Sequence, residues 1–129
     1  MKTTELRLGN LVKNQKGVAE SIQGIYTIPD HIEVLTETHV GLADDFTPIP
    51  LTEEWLERFG FERDEEYDEG GLVDYRLTLM KNSLEFVSFW NSEEITGVNQ
   101  PQTGVDVEYV HQLQNLYFAL TGQELTIKE

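Results

Sequence analysis

One long stretch of the chain, Val107 to Gly122, spaces its apolar residues as a helix does, and nearly everything else apolar reads as strand. On a 100° wheel Tyr109, Val110, Leu113, Leu116, Tyr117 and Leu120 fall in one sector. Asp106 is placed to cap this helix, Val105 to staple to Val110, and Gly122 to stop it in the left-handed conformation. A helix over about 107–121 is therefore expected, laid as a lid on a sheet. The chain is α+β by this reading.

The other face of the helix holds His111, Gln114, Asn115 and Phe118, with no lysine or arginine, and Glu108 is the only charge in the run. A solvated helix in a chain with 24 acidic and 9 basic residues would carry charges outward. The face is expected to be covered, either by the N-terminal strands or in an oligomer interface. These four residues are the candidate interaction face. For His111 a hydrogen-bonded structural role outweighs that of a base or metal ligand, because His31 and His39 lie far away in sequence and no helical His-x-x-x-His or His-Glu pair exists.

Upstream, residues 5–14 read as a short strand, a Gly9-Asn10 turn and a second strand. Asn14-Gln15-Lys16-Gly17 reads as a hairpin turn with Gly17 at positive φ, and Val18 to Ile28 as a bent strand with Gly24 at the bend. Pro29-Asp30 turns the chain into a strand from His31 to Thr38. Strands this short and bent suggest an SH3-like small β-barrel or a curled meander over residues 1–45, a β-rich subdomain of a single compact domain. Residues 39–50 read as a linker ending in Thr47-Pro48-Ile49-Pro50.

Residues 46–129 supply a helix, a β-hairpin and the C-terminal helix. Thr52 suits an N-cap, Leu51 can staple to Leu56, and Gly60 with Phe61 fits a Schellman stop, so a helix is expected over about 52–59. Phe61 to Tyr67 reads as an edge strand running into Asp68-Glu69-Gly70-Gly71. Val73, Tyr75, Leu77 and Leu79 then alternate with polar residues. With Lys81-Asn82 as a two-residue turn, Leu79 would face Leu84, Leu77 Phe86, Tyr75 Ser88 and Val73 Trp90, all on one side. Glu94 to Asn99 reads as a third strand with Gly97 as its weak point, and Glu124 to Ile127 as a final one. The expected architecture is an antiparallel sheet packed by two helices.

The net charge is −15, with −10 of it between residues 37 and 69, where two basic residues meet twelve acidic ones. Phosphate backbones and anionic membranes should repel such a chain, so direct nucleic-acid binding and membrane binding are not expected. Six of the eight residues from Glu62 to Glu69 are acidic, but the EF-hand spacing is absent, and a solvated edge strand is the expectation. There is no cysteine, hence no disulfide framework or thiolate site. The first residues lack an apolar core like that of a secretion signal, so a cytoplasmic location is expected. No catalytic, cofactor-binding or metal-binding residue is assigned.

Three blocks carry a resemblance. Leu8-Gly9-Asn10-Leu11-Val12, then Pro48-Ile49-Pro50-Leu51-Thr52-Glu53-Glu54-Trp55-Leu56, then Tyr109 to Leu125 look like a group of short proteins of gut Bacteroidetes and their phages. The resemblance implies a bacterial cytoplasmic protein, is compatible with a mobile-element gene, and brings no activity, cofactor or site residue. The expected function is that of a non-enzymatic interaction or accessory protein with a protein partner, in which oligomers can form. Two alternatives stand beside it: an acidic nucleic-acid mimic blocking a basic binding site, and a small enzyme using His111 with a carboxylate.

Overall fold

Two antiparallel sheets and two helices make up the computed structural model, which describes residues 6–29, 31–81, 83–91 and 94–127. The chain divides into two compact units, residues 1–49 with 109–116, and residues 50–108 with 117–129. Glu5 at the start of the expected first strand, Asp30 of the Pro29-Asp30 turn and Asn82 of the Lys81-Asn82 turn lie outside the described residues.

The first unit is built on β1 (Leu11–Lys13), β2 (Ala19–Ile28), β3 (His31–Thr36) and β4 (Val40–Leu42), hydrogen-bonded in chain order. It is a curled meander that does not close, which corrects the SH3-like barrel. The β1–β2 turn is the expected one: Gly17 N–H donates to Asn14 O and Gly17 takes φ +79°. The Asn14 side chain accepts from the N–H groups of Lys16 and Val18, fixing the same turn from inside. The ladder between β2 and β3 slips between Ile22 and Gly24, so the bend at Gly24 is a bulge. Val12, Ile22, Val34, Ala43 and Phe46 form the core. The expected linker 39–50 contains β4 and a 3₁₀ turn, Ala43–Asp45. Three residues of strand are too short to show a period, and β4 exists because β3 pairs with it.

The second unit begins with α1 (Glu53–Arg58). Thr52 Oγ1 accepts from Trp55 N–H, Gly60 N–H donates to Glu57 O, and Phe61 N–H donates to Leu56 O. These last two bonds are the Schellman pair, and Gly60 takes the φ of +93° that the motif requires. Leu51 and Leu56 are both buried, as a staple demands. The sheet follows as β5 (Glu62–Asp68), β6 (Gly71–Lys81), β7 (Leu84–Asn91), β8 (Glu94–Gln100) and β9 (Val105–Val107), again in chain order.

In the β6–β7 hairpin Lys81 pairs with Leu84 and Leu79 with Phe86, two residues beyond the expected register. Ser83, not Lys81, takes the turn, at φ +69°. A slip of two keeps every side chain on its expected face. Leu77, Phe86 and Ser88 are buried together, with Ser88 Oγ accepting from Leu77 N–H at 2.8 Å.

Two expectations near the C-terminus fail. Asp106 caps no helix: it lies in β9 opposite Asn99 of β8, and α2 runs Val110–Thr121. Val105 and Val107 gain more as strand residues than as a staple, because β8 offers them a ladder. The first helical bond runs from Leu113 N–H to Tyr109 O, and Gln112 reaches back to accept from Tyr109 N–H, the reciprocal half of a capping box. At the other end Gly122, φ +71°, donates to Phe118 O as expected of the stop. Tyr117 lies over Phe86, ring centroids 5.7 Å apart, so the end of α2 packs against the hairpin face that carries Phe86. Glu124 to Ile127 forms no strand.

Candidate functional site

The second unit carries most of the charge, with 17 acidic and 5 basic residues, net −12, against 7 and 4, net −3, in the first. Its acid concentrates on β5, the edge of the five-stranded sheet. Glu62, Asp64, Glu66 and Asp68 are exposed there. Among the described residues β5 pairs only with β6, so its outer row of N–H and C=O groups has no ladder partner. Arg76 of β6 stands within 3.7 Å of Asp64 and 3.8 Å of Glu66.

On the sheet face next to α1, side chains from four elements of the unit converge. Tyr75 O–H donates to Glu53 at 3.0 Å, and burial together with that bond raises its phenol above the ordinary value. The Arg63 guanidinium lies 3.8 Å over the Tyr75 ring and within 3.9 Å of Glu53. Trp90 meets Tyr75 edge-on, centroids 5.0 Å apart, and its indole N–H donates to Tyr75 O at 3.1 Å. Beside them opens a cleft of about 320 Å³, lined by Glu53, Glu54, Tyr75, Trp90, Glu94 and Ile95. None of these was singled out from the sequence as a site residue. The available signal was the alternation that puts Tyr75 and Trp90 on one side of the sheet; Glu54 and Glu94 join them only through tertiary structure.

The four residues expected to form an interaction face are divided. His111 is 1% exposed and Gln114 4%, Asn115 is half-buried, and Phe118 is 39% exposed. Gln114 Oε1 accepts from Leu11 N–H at 2.8 Å, and its amide donates to Gly9 O at 3.3 Å. Asn115 Oδ1 accepts from Asn10 Nδ2 at 2.8 Å and from Arg7 Nε at 3.1 Å. Asn10 in turn accepts from Arg7 N–H. The amides therefore tie the helix to the Arg7–Leu11 turn, which is the intramolecular branch of the expectation. His111 stacks near Tyr109, centroids 6.1 Å apart.

A second buried polar group lies at the β2–β3 end of the first unit. Glu20, 4% exposed, accepts from Asn14 Nδ2 at 2.7 Å, Thr38 Oγ1 at 2.7 Å and Thr36 Oγ1 at 3.0 Å, with His39 Nδ1 at 3.4 Å. The Asn14 bond above all, with that of Thr38, brings its carboxyl down to about 2. A lowered folded pKa stabilises above the unfolded value of 4.5 and is lost as pH falls toward 2. Glu20→Gln is accordingly expected to melt below wild type at neutral pH, with the gap narrowing between pH 4.5 and 2. Melting curves across that window check it, and a gap that stays constant contradicts it. The group holds a turn, its carboxylate taken up by the Asn14, Thr36 and Thr38 side chains.

Among the described residues no group of three or more His, Asp or Glu side chains could hold a metal ion, and no helix is long and apolar enough to cross a membrane. Compared with protein-family models, curated proteins and solved structures, the chain finds no match.

Proposed function

We propose that the protein is a non-enzymatic interaction module, an accessory protein of a bacterial or phage genome, that binds a basic segment of a partner protein along β5. The observation that supports this most is the coincidence of an unpaired sheet edge with the densest acid of the chain. An extended segment can add to such an edge through main-chain hydrogen bonds. Lysines or arginines on it would stand opposite Glu62, Asp64 and Glu66; an opposite-charge pair adds about 0.2–1 kcal/mol, toward the lower end for Asp64 and Glu66, which share Arg76. A second copy of β5 would bring like charges together, so the same residues oppose self-association. The edge selects by charge.

Mimicry of nucleic acid is supported less well. A mimic needs a continuous row of negative charge, and Arg76 interrupts the row between Asp64 and Glu66. The enzymatic alternative needs His111 to meet a substrate, and it is 1% exposed.

The test is binding of a fluorescent peptide of alternating lysine and threonine, measured by anisotropy. Binding is expected at low salt and should weaken about tenfold or more at 1 M salt, where the screening length falls to about 3 Å. Asp64→Lys with Glu66→Lys should abolish it. Binding that ignores both salt and charge reversal contradicts the proposal, as does equal binding of a peptide with glutamate in place of lysine.

A further inference from the structure

The cleft beside α1 asks for a ligand of defined chemistry. Glu54 and Glu94 are exposed on its rim and have no ion-pair partner among the described residues. Trp90 is 37% exposed, and no cation of the described residues lies over its ring. The cleft thus presents uncompensated negative charge and an open aromatic surface side by side. Its volume, about 320 Å³, is at the lower end of the roughly 300–1,000 Å³ of small-ligand pockets, enough for one side chain, and its carboxylates disfavour a phosphate.

The same unit shows what such surroundings hold. Arg63 stacks on Tyr75 at 3.8 Å with Glu53 alongside, and Arg58 stacks on Trp55 at 4.3 Å. Guanidinium is flat, weakly hydrated and forked, so it can lie on a ring and still bind carboxylates at its edge, which ammonium does less well. We infer that the cleft lined by Glu53, Glu54, Tyr75, Trp90 and Glu94 receives an arginine side chain of the partner. This rests on the reading of the second unit as a binder of basic segments: β5 and β6 lie between the open edge and Trp90, at about 4.8 Å per strand, so the arginine comes from a stretch of the partner flanking the one that pairs with β5. Trp90 supplies the stacking surface; Glu54 and Glu94 take the guanidinium N–H groups.

The test uses the lysine–threonine peptide extended by a short glycine–serine spacer and one terminal arginine, and its twin with citrulline, which keeps the shape and loses the charge. The arginine peptide should bind about tenfold more tightly, equivalent to about 1.4 kcal/mol. It alone should shift the Trp90 indole N–H resonance, with the Trp55 indole as internal reference. Glu54→Gln with Glu94→Gln should remove the preference; both side chains are exposed, so the fold does not depend on them. Equal binding of the twins to a protein still sensitive to Asp64→Lys with Glu66→Lys overturns the cleft and leaves the edge reading standing. An arginine preference and Trp90 shift that persist in that β5 variant support the cleft and overturn the edge instead.

Discussion

Gln114→Leu is expected to destabilise the protein by about 2–4 kcal/mol, although leucine matches glutamine in size. Gln114 is 4% exposed, and its two ends serve different partners, Leu11 N–H and Gly9 O. Leucine leaves the half-buried Leu11 N–H and the carbonyl of exposed Gly9 without their side-chain partner, where a fully buried group of either kind would cost about 1–3 kcal/mol. Partial access of water to the turn would bring the sum toward the lower end. Phe118→Tyr, four residues on, keeps the ring and adds a hydroxyl to a side chain that is 39% exposed, and should stay within about 0.5 kcal/mol. Urea unfolding of both variants, with unchanged slopes, checks the pair. Equal effects would contradict the division of the helix face into a structural amide part and an exposed aromatic end.

Gly97→Ala is the second large effect, about 2–3 kcal/mol, the upper part of the range for overpacking. A Cβ on Gly97 would stand 2.2 Å from Phe89 Cζ and 2.6 Å from Val107 O. The Phe89 ring covers the glycine across the β7–β8 ladder, where the two residues are paired. A rotated ring could yield to the first contact, but the second is backbone of β9 and cannot move without the β8–β9 ladder. The double change Phe89→Ala with Gly97→Ala should therefore recover no stability over Phe89→Ala alone. Thermal unfolding of the three variants decides it, and a neutral Gly97→Ala would show that β9 shifts freely.

Gly97 also shows what the sequence could and could not say. Alternation marked it as a weak point in a strand, but only the packing of Phe89 explains why glycine must be there. Signals written within a few residues were legible: the Thr52 cap, the Gly60 stop, the Gly17 turn, the Gly24 bulge and the faces of the β6–β7 hairpin. Signals that depend on a distant partner were not. Val105–Val107 had the chemistry of a helix start and became β9 because β8 pairs with it. Val40–Leu42 looked like linker and became β4 through β3.

The site followed the same division. That the His111, Gln114 and Asn115 face would be covered could be read from its lack of charge, but its partners at residues 7–11 lie about a hundred positions away. The acid of residues 62–69 was plain in the sequence, and so was its place on an edge strand. The cleft was not, since Glu54, Tyr75, Trp90 and Glu94 come from α1, β6, β7 and β8 and no spacing links them.

Main-chain addition along β5 is the central claim, and amide hydrogen exchange reports on it directly. With the lysine–threonine peptide bound at low salt, the outward N–H groups between Glu62 and Asp68 should exchange more slowly, while those of β1 to β4 keep their rates. Protection spread over both units, or a bound peptide that leaves the β5 amides unchanged, would contradict the account.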